Sequence, residues 1–285
     1  MEKSAYIFDL YETLIDIRTD ENSPLFWRGM AQLYSRCGAL YSPSGLRQAY
    51  GRMVHEEEAR LKESSGLRFP EIDLSVVFRR LLLEAPGSAA LKKSTAAASV
   101  QIAAENVEPG AAPGARKDLE KLAGDPQWMA MVASSFRSMS MRRFRLYPGT
   151  LQTLKELKRR GRKVFLLSNA QSLFTRPELE MTGLMECFNA VYISSEKGMK
   201  KPQPDFMKLL LSEQGLSPEE CMMVGNDTES DVRVALASGV TGCLLNTYHM
   251  DDAEIGNRFD RLSQEYPGGE AVCIRSGRIR DLLTL

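Results

Sequence analysis

The sequence has only five cysteines among its 285 residues, and no two of them form a CxxC pair. They are Cys37, Cys187, Cys221, Cys243 and Cys273. Because their number is odd and their spacing wide, a disulfide framework, a zinc site or a redox motif is a poor interpretation. The two histidines, His55 and His249, have no partners at metal-ligand spacing. We therefore expect ordinary core cysteines in a reducing, cytoplasmic protein.

The sequence also lacks an excess of charge of either sign and lacks a long apolar run. Its 37 basic and 37 acidic side chains cancel, so the net charge does not indicate nucleic acid or an anionic membrane as the main partner. No segment is long and apolar enough to span a bilayer, and the N-terminus has no signal-peptide pattern. Since 43% of the residues are apolar, we expect a soluble protein with a sizeable core and a small-molecule partner.

From about residue 146 onward, strand and helix patterns alternate, which is typical of a parallel sheet covered by helices on both faces. Several of the apolar runs, and the run near the N-terminus, end at polar side chains. These residues are Asp9, Ser168, Ser194, Asn226 and Asp227. The carboxyl ends of parallel strands share one edge of the sheet, and ligands bind outside that edge. We therefore predict that these side chains lie close together in one site.

Between residues 16 and 145 the alternation stops and the pattern is helical, with serine or aspartate ahead of several segments. We predict a Rossmann-like α/β core over residues 1–15 and 146–285, and an inserted helical cap over 16–145. Within the insertion, residues 85–117 are dominated by alanine, with glycine and proline at both ends. This composition favours a mobile excursion or a lone helix over 89–105 rather than core.

Four short segments follow predicted strands in order: FDLYETL, LLSN, KKPQPDF and VGNDTESD. Together they resemble the four signature motifs of the haloacid dehalogenase-like (HAD) hydrolase superfamily. The insertion lies where that family has its helical C1-type cap. The resemblance covers about residues 3–15 and 146–246, and it implies a hydrolase.

The resemblance implies that Asp9 is the nucleophile. A carboxylate held in line at a strand end can form a covalent intermediate, which replaces one difficult hydrolysis by two easier steps. Thr13 would orient this carboxylate through its hydroxyl. Ser168 would hold an oxygen of the transferred group, with the Asn169 amide beside it. Lys201 would neutralise the nucleophile and the anionic group that it attacks.

The fourth segment, GNDTESD, implies acids for Mg²⁺, a cation that prefers oxygen ligands. Asp227 and Asp231 are four residues apart, so they can face one site at a helix start. If the strand end is aligned by its glycine, Asn226 takes the place of the usual direct carboxylate ligand, whereas Asp227 and Asp231 together fit the shorter GDxxxD spacing. Metal affinity should therefore depend on Asp9 and Asp227. The Tyr11 backbone carbonyl would be a further ligand. Asp231 would hold the lysine of the third motif or a water on the metal.

Tyr11 separates two enzyme interpretations, and we include it among the candidate catalytic residues. HAD phosphatases usually have an aspartate at this position as general acid and base, whereas a phenol has a reference pKa of about 10 and is a poor base. The L-2-haloacid dehalogenases resemble this chain here, with DxYGTL, and need no acid because halide leaves without a proton. Their fourth motif lacks a run of acids, and they use no metal.

Two acids beside a nucleophilic aspartate make sense when a divalent cation lies among them. We therefore favour a Mg²⁺-dependent phosphatase that acts on a small phosphorylated metabolite through an aspartyl-phosphate. The alternatives are a metal-independent 2-haloacid dehalogenase and a catalytically weak HAD-fold binding protein.

Four residues of the insertion are candidates for contacting a substrate, although none lies in a recognisable motif: Arg18, Trp27, Arg28 and His55. Arg28 is similar in type to the arginine that dehalogenases use for the substrate carboxylate. We interpret it as a solvated helix residue, since exposed charges seldom do more than solvate a face.

Overall fold

The computed structural model describes residues 3–86 and 113–285. The chain forms two compact units. The first contains Met1–Arg18, Glu58–Asp73 and Met141–Leu285, and the second contains Thr19–Glu57 and Leu74–Ser140. The helix that we consider for residues 89–105 lies outside the described residues, as does most of the alanine-rich segment.

Eight strands are described in chain order. They are β1 (Ala5–Phe8), β2 (Ile15–Thr19), β3 (Met141–Leu146), β4 (Lys163–Ser168), β5 (Ala190–Ile193), β6 (Cys221–Gly225), β7 (Thr241–Leu245) and β8 (Ala271–Ile274). Six of them form one sheet in the order β5-β4-β1-β6-β7-β8, with every pair parallel. Strands β2 and β3 form a separate pair. The short, fully buried apolar runs at β1, β6 and β7 are typical of strands covered on both faces.

Eleven α-helices are described. They are α1 (Pro24–Arg36), α2 (Pro43–Ser65), α3 (Leu74–Leu83), α4 (Pro113–Ala123), α5 (Pro126–Ser140), α6 (Thr150–Arg159), α7 (Ser172–Met181), α8 (Ser194–Lys197), α9 (Pro204–Gln214), α10 (Arg233–Leu236) and α11 (Asp252–Glu265). Shorter helical turns lie at Met185–Cys187, Pro218–Glu220, Thr228–Val232 and Ile279–Thr284.

Two separate hydrophobic clusters cover the two faces of the six-stranded sheet. Side chains alternate along β1, so Tyr6 and Phe8 join one cluster while Ala5 and Ile7 join the other. Helix α6 contributes leucines to the first cluster, and α9 contributes Phe206 to the second. The predicted Rossmann-like α/β fold, a parallel sheet with helices on both faces, is therefore confirmed.

The second unit contains α1, α3, α4, α5 and the first part of α2. Aromatic rings form much of its core. Phe26 meets Phe136 edge to face with ring centroids 4.9 Å apart, and Phe78 lies 5.2 Å from Phe136. Such pairs add about 0.5–1.5 kcal/mol each beyond the area that they bury.

Residues 58–73 lie within the insertion that the sequence predicts, yet their contacts place them in the first unit. Pro70 forms an antiparallel bridge with Met199. The Lys200 amide donates to the Phe69 carbonyl at 3.0 Å, and the Glu71 amide donates to the Gly198 carbonyl at 3.1 Å. This segment therefore runs alongside the residues that precede Lys201.

All five cysteines are unpaired thiols, of which Cys187, Cys221 and Cys243 are buried. Within residues 3–86 and 113–285, none of the helices combines the length and the apolar character that crossing a membrane requires.

Candidate active site

Asp9 lies directly after β1, a central strand of the sheet, and the residue is almost buried, at 8% exposure. Its amide continues the pairing with β6 by donating to the Val224 carbonyl at 2.9 Å. Lys201 Nζ donates to Asp9 Oδ1 at 2.7 Å, and Thr13 Oγ1 donates to Asp9 Oδ2 at 3.1 Å. Ser168 Oγ lies 3.5 Å from Oδ1. The polar ends of the central strands therefore converge on one carboxylate.

Lys201 is the buried cation of the site. Its ammonium lies 2.7 Å from each of three oxygens, Asp9 Oδ1, Asp231 Oδ1 and the Leu167 carbonyl. This number matches the three N–H groups of the ammonium. Burial by itself lowers the pKa of Lys201, but the Asp231 and Asp9 carboxylates outweigh that effect and raise it. Lys201 is therefore charged at neutral pH.

Asp231 is held on the helical turn Thr228–Val232 and is 2% exposed. Its Oδ2 accepts from the Asp227 amide at 3.1 Å. Burial raises the pKa of Asp231 to about 6, with Lys201 opposing that shift and Asp9 adding to it. A Cβ on Gly225 would overlap the Asp231 carboxylate. A glycine at the end of β6 is therefore what allows Asp231 to reach Lys201.

Asp227 and Asn226 follow β6 at the same edge. Asp227 caps the next helical turn, because its Oδ1 accepts from the Glu229 amide and its Oδ2 from the Ser230 hydroxyl, both at 2.9 Å. Asn226 Oδ1 lies 3.0 Å from Thr13 Oγ1. The Thr13 hydroxyl therefore lies between an oxygen of Asn226 and an oxygen of Asp9.

Asn169 and Ser168 lie at the end of β4. Asn169 holds the backbone of Lys201 on both sides: its Nδ2 donates to the Lys201 carbonyl at 2.9 Å, and its Oδ1 accepts from the Lys201 amide at 2.7 Å. In this structure its side chain thus positions the lysine, while Ser168 is the β4 residue that reaches Asp9.

Ser194, which the strand-end pattern placed beside Asp9, makes other contacts. Its hydroxyl accepts from the Ala170 amide at 2.8 Å and lies 3.1 Å from Glu71 Oε2. The reason is its strand: β5 is at the edge of the sheet, two positions from β1. Neighbouring strands are about 4.8 Å apart, so two steps leave roughly 10 Å between them. Ser194 supports the neighbouring loop and does not join the Asp9 cluster.

Tyr11 turns its phenol towards α7. Its hydroxyl donates to Glu178 Oε2 at 2.5 Å and lies 3.0 Å from Thr175 Oγ1. Glu178 is 4% exposed. Sequence reasoning did not identify this pair, although a signal was present: Glu178 stands four residues after Phe174, on the buried face of α7. A carboxylate on an apolar helix face needs a partner, and Tyr11 provides one.

An open pocket of about 360 Å³ lies over these groups. Its lining residues are Asp9, Tyr11, Asn169, Lys201, Asn226, Asp227, Ser230, Asp231 and Tyr248. Thr13 and Ser168, both fully buried, reach Asp9 from below this lining. The structure therefore brings together the residues that the four motifs name.

Tyr248 and Ser230 are lining residues that sequence reasoning missed. Tyr248 lies in the loop after β7, at the same edge of the sheet, and is 57% exposed. Partial burial raises the pKa of its phenol, as do the nearby Glu12, Asp227 and Asp9 carboxylates, whereas a hydrogen bond with Asn226 opposes the shift. The loop after β7 also follows a strand end, so the strand-end rule that identifies Asp9 and Asp227 indicates this loop as well.

The donors at this pocket fit a hard divalent cation. In the described parts of the chain, no group of three or more His, Cys, Asp or Glu side chains is arranged to hold a metal ion. Mg²⁺ usually takes only one or two carboxylates and keeps several waters. Asp9 and Asp227 supply two carboxylates to one pocket, and Asn226 adds an uncharged amide oxygen. The Tyr11 carbonyl as a further ligand remains a prediction.

Of the candidate residues of the insertion, one is buried and three are exposed. Trp27 is 5% exposed, and its indole donates to the Glu21 carbonyl at 2.7 Å. Its ring lies 4.9 Å from that of Phe26, so Trp27 is a core residue of the second unit, and considering it for substrate contact was wrong. Arg18, Arg28 and His55 are exposed, as is His249.

Comparison with known proteins identifies relatives. A family model described as haloacid dehalogenase-like hydrolase matches residues 3–239. The phosphoserine phosphatase of Thermus thermophilus is 38% identical over 125 residues, which are 44% of this chain and 50% of that protein. The glyceraldehyde 3-phosphate phosphatase of Methanothermobacter thermautotrophicus is 28% identical over 122 residues, 43% of this chain and 54% of that protein. The matched region thus spans about half the length of these curated relatives.

Solved structures share the fold. The 2-haloacid dehalogenase of Pseudomonas syringae pv. Tomato aligns with a TM-score of 0.56 at 17% identity, over 100% of this chain and 97% of that one. An HAD phosphatase from Thermococcus onnurineus aligns with a TM-score of 0.52, also at 17% identity and over the same shares of the two chains. Identities this low establish a common fold and do not distinguish the two activities.

Proposed function

The chain belongs to the haloacid dehalogenase-like hydrolases, and we propose that it is a Mg²⁺-dependent phosphatase acting on a small phosphorylated metabolite through an aspartyl-phosphate on Asp9. The observation that carries this proposal is the set of contacts around Asp9. Two of its partners, Lys201 at 2.7 Å and Thr13 at 3.1 Å, hold different carboxylate oxygens. The carboxylate is thereby fixed at the base of an open pocket, as a nucleophile requires.

The remaining groups have roles that follow from their contacts. Lys201 lies 2.7 Å from the carboxylate and provides positive charge where the anionic group arrives. Asp231 holds the lysine from the opposite side, at 2.7 Å. Asn169 fixes the lysine backbone. Ser168 lies 3.5 Å from Asp9 Oδ1 and would donate to an oxygen of the transferred group.

The balance of charge at the pocket favours a cation. Asp9, Asp227 and Asp231 contribute three carboxylates, against the single charge of Lys201. A phosphate monoester adds further negative charge, so binding it beside these acids is unfavourable without a compensating ion. Asp9, Asp227 and Asn226 would hold Mg²⁺, which when bound neutralises phosphate charge and polarises the phosphoryl group.

The test is phosphate release from p-nitrophenyl phosphate and a panel of phosphorylated metabolites, with Mg²⁺ and with EDTA. We expect turnover that needs Mg²⁺ and that Asp9→Asn abolishes. Asp260→Asn, which makes the same change at an exposed position of α11, is the matched control and should retain full activity. Equal turnover by Asp9→Asn and wild type, or none across the panel, would refute the proposal.

A second candidate is metal-independent 2-haloacid dehalogenation, because Tyr11 supplies a phenol where a phosphatase would use an acid. It predicts halide release from 2-chloropropionate that EDTA does not affect. The free cysteines are consistent with a cytoplasmic location, which we propose together with the small-molecule substrate.

A further inference from the structure

Two phenol rings, Tyr11 and Tyr248, line the pocket that contains Asp9. They belong to loops that follow different strands of the sheet, β1 and β7. Tyr248 is more than half exposed, at 57%, although large aromatic side chains are usually covered. The loop that carries it is anchored, because Thr247 Oγ1 donates to the Glu12 carbonyl at 2.6 Å. The Tyr248 ring is thus anchored and uncovered at the pocket that contains Asp9, and its apolar face is available to the leaving group of a substrate.

The other lining groups already have hydrogen-bond partners. The Tyr11 hydroxyl donates to Glu178 at 2.5 Å, so its proton is directed away from Asp9. Asp227 accepts on both of its oxygens. The Lys201 ammonium lies against three oxygens and its side chain is 1% exposed. Asp231 accepts from the Asp227 amide and lies 2.7 Å from the Lys201 ammonium. The side chains of Tyr11, Asp227, Asp231 and Lys201 are therefore engaged with protein partners, and none of these four is placed to give a proton to a leaving oxygen.

These two observations lead to one class of substrate. We propose that the site prefers phosphate monoesters of acidic hydroxyl groups carried on a ring, of which phenyl phosphates are the simplest. The inference rests on the phosphatase function proposed above and names its substrate class. An acidic hydroxyl departs as an anion without receiving a proton, and a ring packs against the aromatic faces at the pocket.

The chemistry balances without a general acid. An oxygen of the Asp9 carboxylate forms a bond to phosphorus while the bond from phosphorus to the leaving oxygen breaks. The leaving oxygen takes the electron pair, departs as a phenolate and is protonated by solvent. Water then attacks the aspartyl-phosphate, which releases inorganic phosphate, passes a proton to solvent and restores the carboxylate.

The first arm of the test measures kcat/KM for phenyl phosphates that carry 4-nitro, 4-chloro, hydrogen or 4-methoxy substituents. We expect the rate to fall steeply as the leaving phenol becomes less acidic. Tyr11→Asp, which places a carboxyl group in the pocket, should flatten this dependence. Tyr11→Phe also breaks the contact with Glu178 but adds no acid, so it should stay as steep as wild type. A shallow dependence in the wild type would overturn the inference.

The second arm separates the ring from its acidity. Phenyl phosphate is compared with hexafluoroisopropyl phosphate, whose alcohol is similarly acidic but has no ring. We expect the wild type to have the higher kcat/KM for the phenyl ester. Tyr248→Ala should reduce this preference by about 2- to 10-fold through a higher KM for the phenyl ester, and Tyr248→Phe should keep the preference. Equal preference in wild type and Tyr248→Ala overturns the inference. If phosphate release needs Asp9 but depends neither on the acidity of the leaving group nor on the ring, the substrate class is wrong and the phosphatase function stands. If no ester releases phosphate, the phosphatase function itself is refuted.

Discussion

Replacing Lys201 by methionine tests the central electrostatic feature of the site. The side chain is 1% exposed, and its ammonium lies 2.7 Å from both Asp9 and Asp231. Methionine fills a similar volume but carries no charge, so the variant leaves two buried carboxylates facing each other. It also removes the donor to the Leu167 carbonyl.

The expected magnitude follows from these contacts. Removing one partner of a buried ion pair costs about 3–5 kcal/mol, because the remaining charge is buried without compensation. Typical domains unfold with about 5–15 kcal/mol, so Lys201→Met should lose a large share of the stability of the first unit. Turnover should fall by at least about 10², as is typical when preorganised charge at a reacting group is removed.

The assay is urea unfolding together with turnover. Both tryptophans of the chain, Trp27 and Trp128, belong to the second unit, so unfolding of the first should be followed by circular dichroism rather than by fluorescence. Lys200→Met is the matched control. That neighbour is 35% exposed and lies 3.8 Å from Glu71, and its loss should cost no more than about 1 kcal/mol.

A double-mutant cycle decides whether the cost comes from charge. Asp231→Asn should destabilise the wild type, because Lys201 then loses a partner, and should stabilise Lys201→Met, because one of two opposed carboxylates is neutralised. The coupling should be about 0.5–3 kcal/mol. The reasoning would be refuted if Asp231→Asn changed the free energy of unfolding in the same direction in the wild type and in Lys201→Met. It would also be refuted if Lys201→Met were as stable as Lys200→Met.

Three further predictions concern other parts of the first unit. Gly225→Ala should reduce turnover and lower the free energy of unfolding by about 1–3 kcal/mol, because its Cβ overlaps Asp231. Gly256→Ala is the control: its Cβ meets open space in α11, so it should raise the free energy of unfolding by up to about 1 kcal/mol. Equal effects of the two variants in urea unfolding would contradict this prediction. Burial raises the pKa of Cys243 to about 12, so its thiol should resist Ellman's reagent at pH 8 until the chain unfolds, as peptide mass spectrometry can verify. Burial also raises the pKa of Glu71 above its ordinary 4.5, so the folded state binds the proton more tightly than the unfolded state. The free energy of unfolding should therefore fall as pH rises from 4.5 through the raised pKa. Glu71→Gln should remove this dependence on pH, and an unchanged dependence in the variant would exclude the effect.

The sequence was sufficient to predict the strand-end part of the site. Asp9, Ser168 and Asp227 each follow an apolar run, and the geometry of a parallel sheet brings such ends to one edge. The position of Ser194 outside the Asp9 cluster could not be predicted in the same way. It depends on strand order, because β5 is an edge strand, and strand order is not a local property of the sequence.

The sequence indicates that Glu178, on the buried face of α7, needs a partner, but it does not identify that partner as Tyr11. The Tyr11 hydroxyl bonds to Glu178, 167 residues away, and that contact depends on how α7 rotates its buried face towards the loop after β1. Glu71 is a similar case. The sequence pattern places Glu71 in a helical insertion, but its amide donates a hydrogen bond to the Gly198 carbonyl. A single backbone hydrogen bond of this kind leaves no periodic pattern in the side chains.

Charge, rather than Tyr11, separates the two candidate reactions. A phenol held by Glu178 is compatible with halide departure and with departure of an acidic alcohol, since neither requires a proton from it. A 2-haloacid brings its own carboxylate towards Asp227 and Asp231. Unit charges 4 Å apart at an effective dielectric constant of 20 repel by about 4 kcal/mol, which weakens binding of such an acid about a thousandfold. A divalent cation held by Asp9 and Asp227 would reverse that sign for a phosphate, so Asp227, which opposes dehalogenation, would favour phosphoryl transfer.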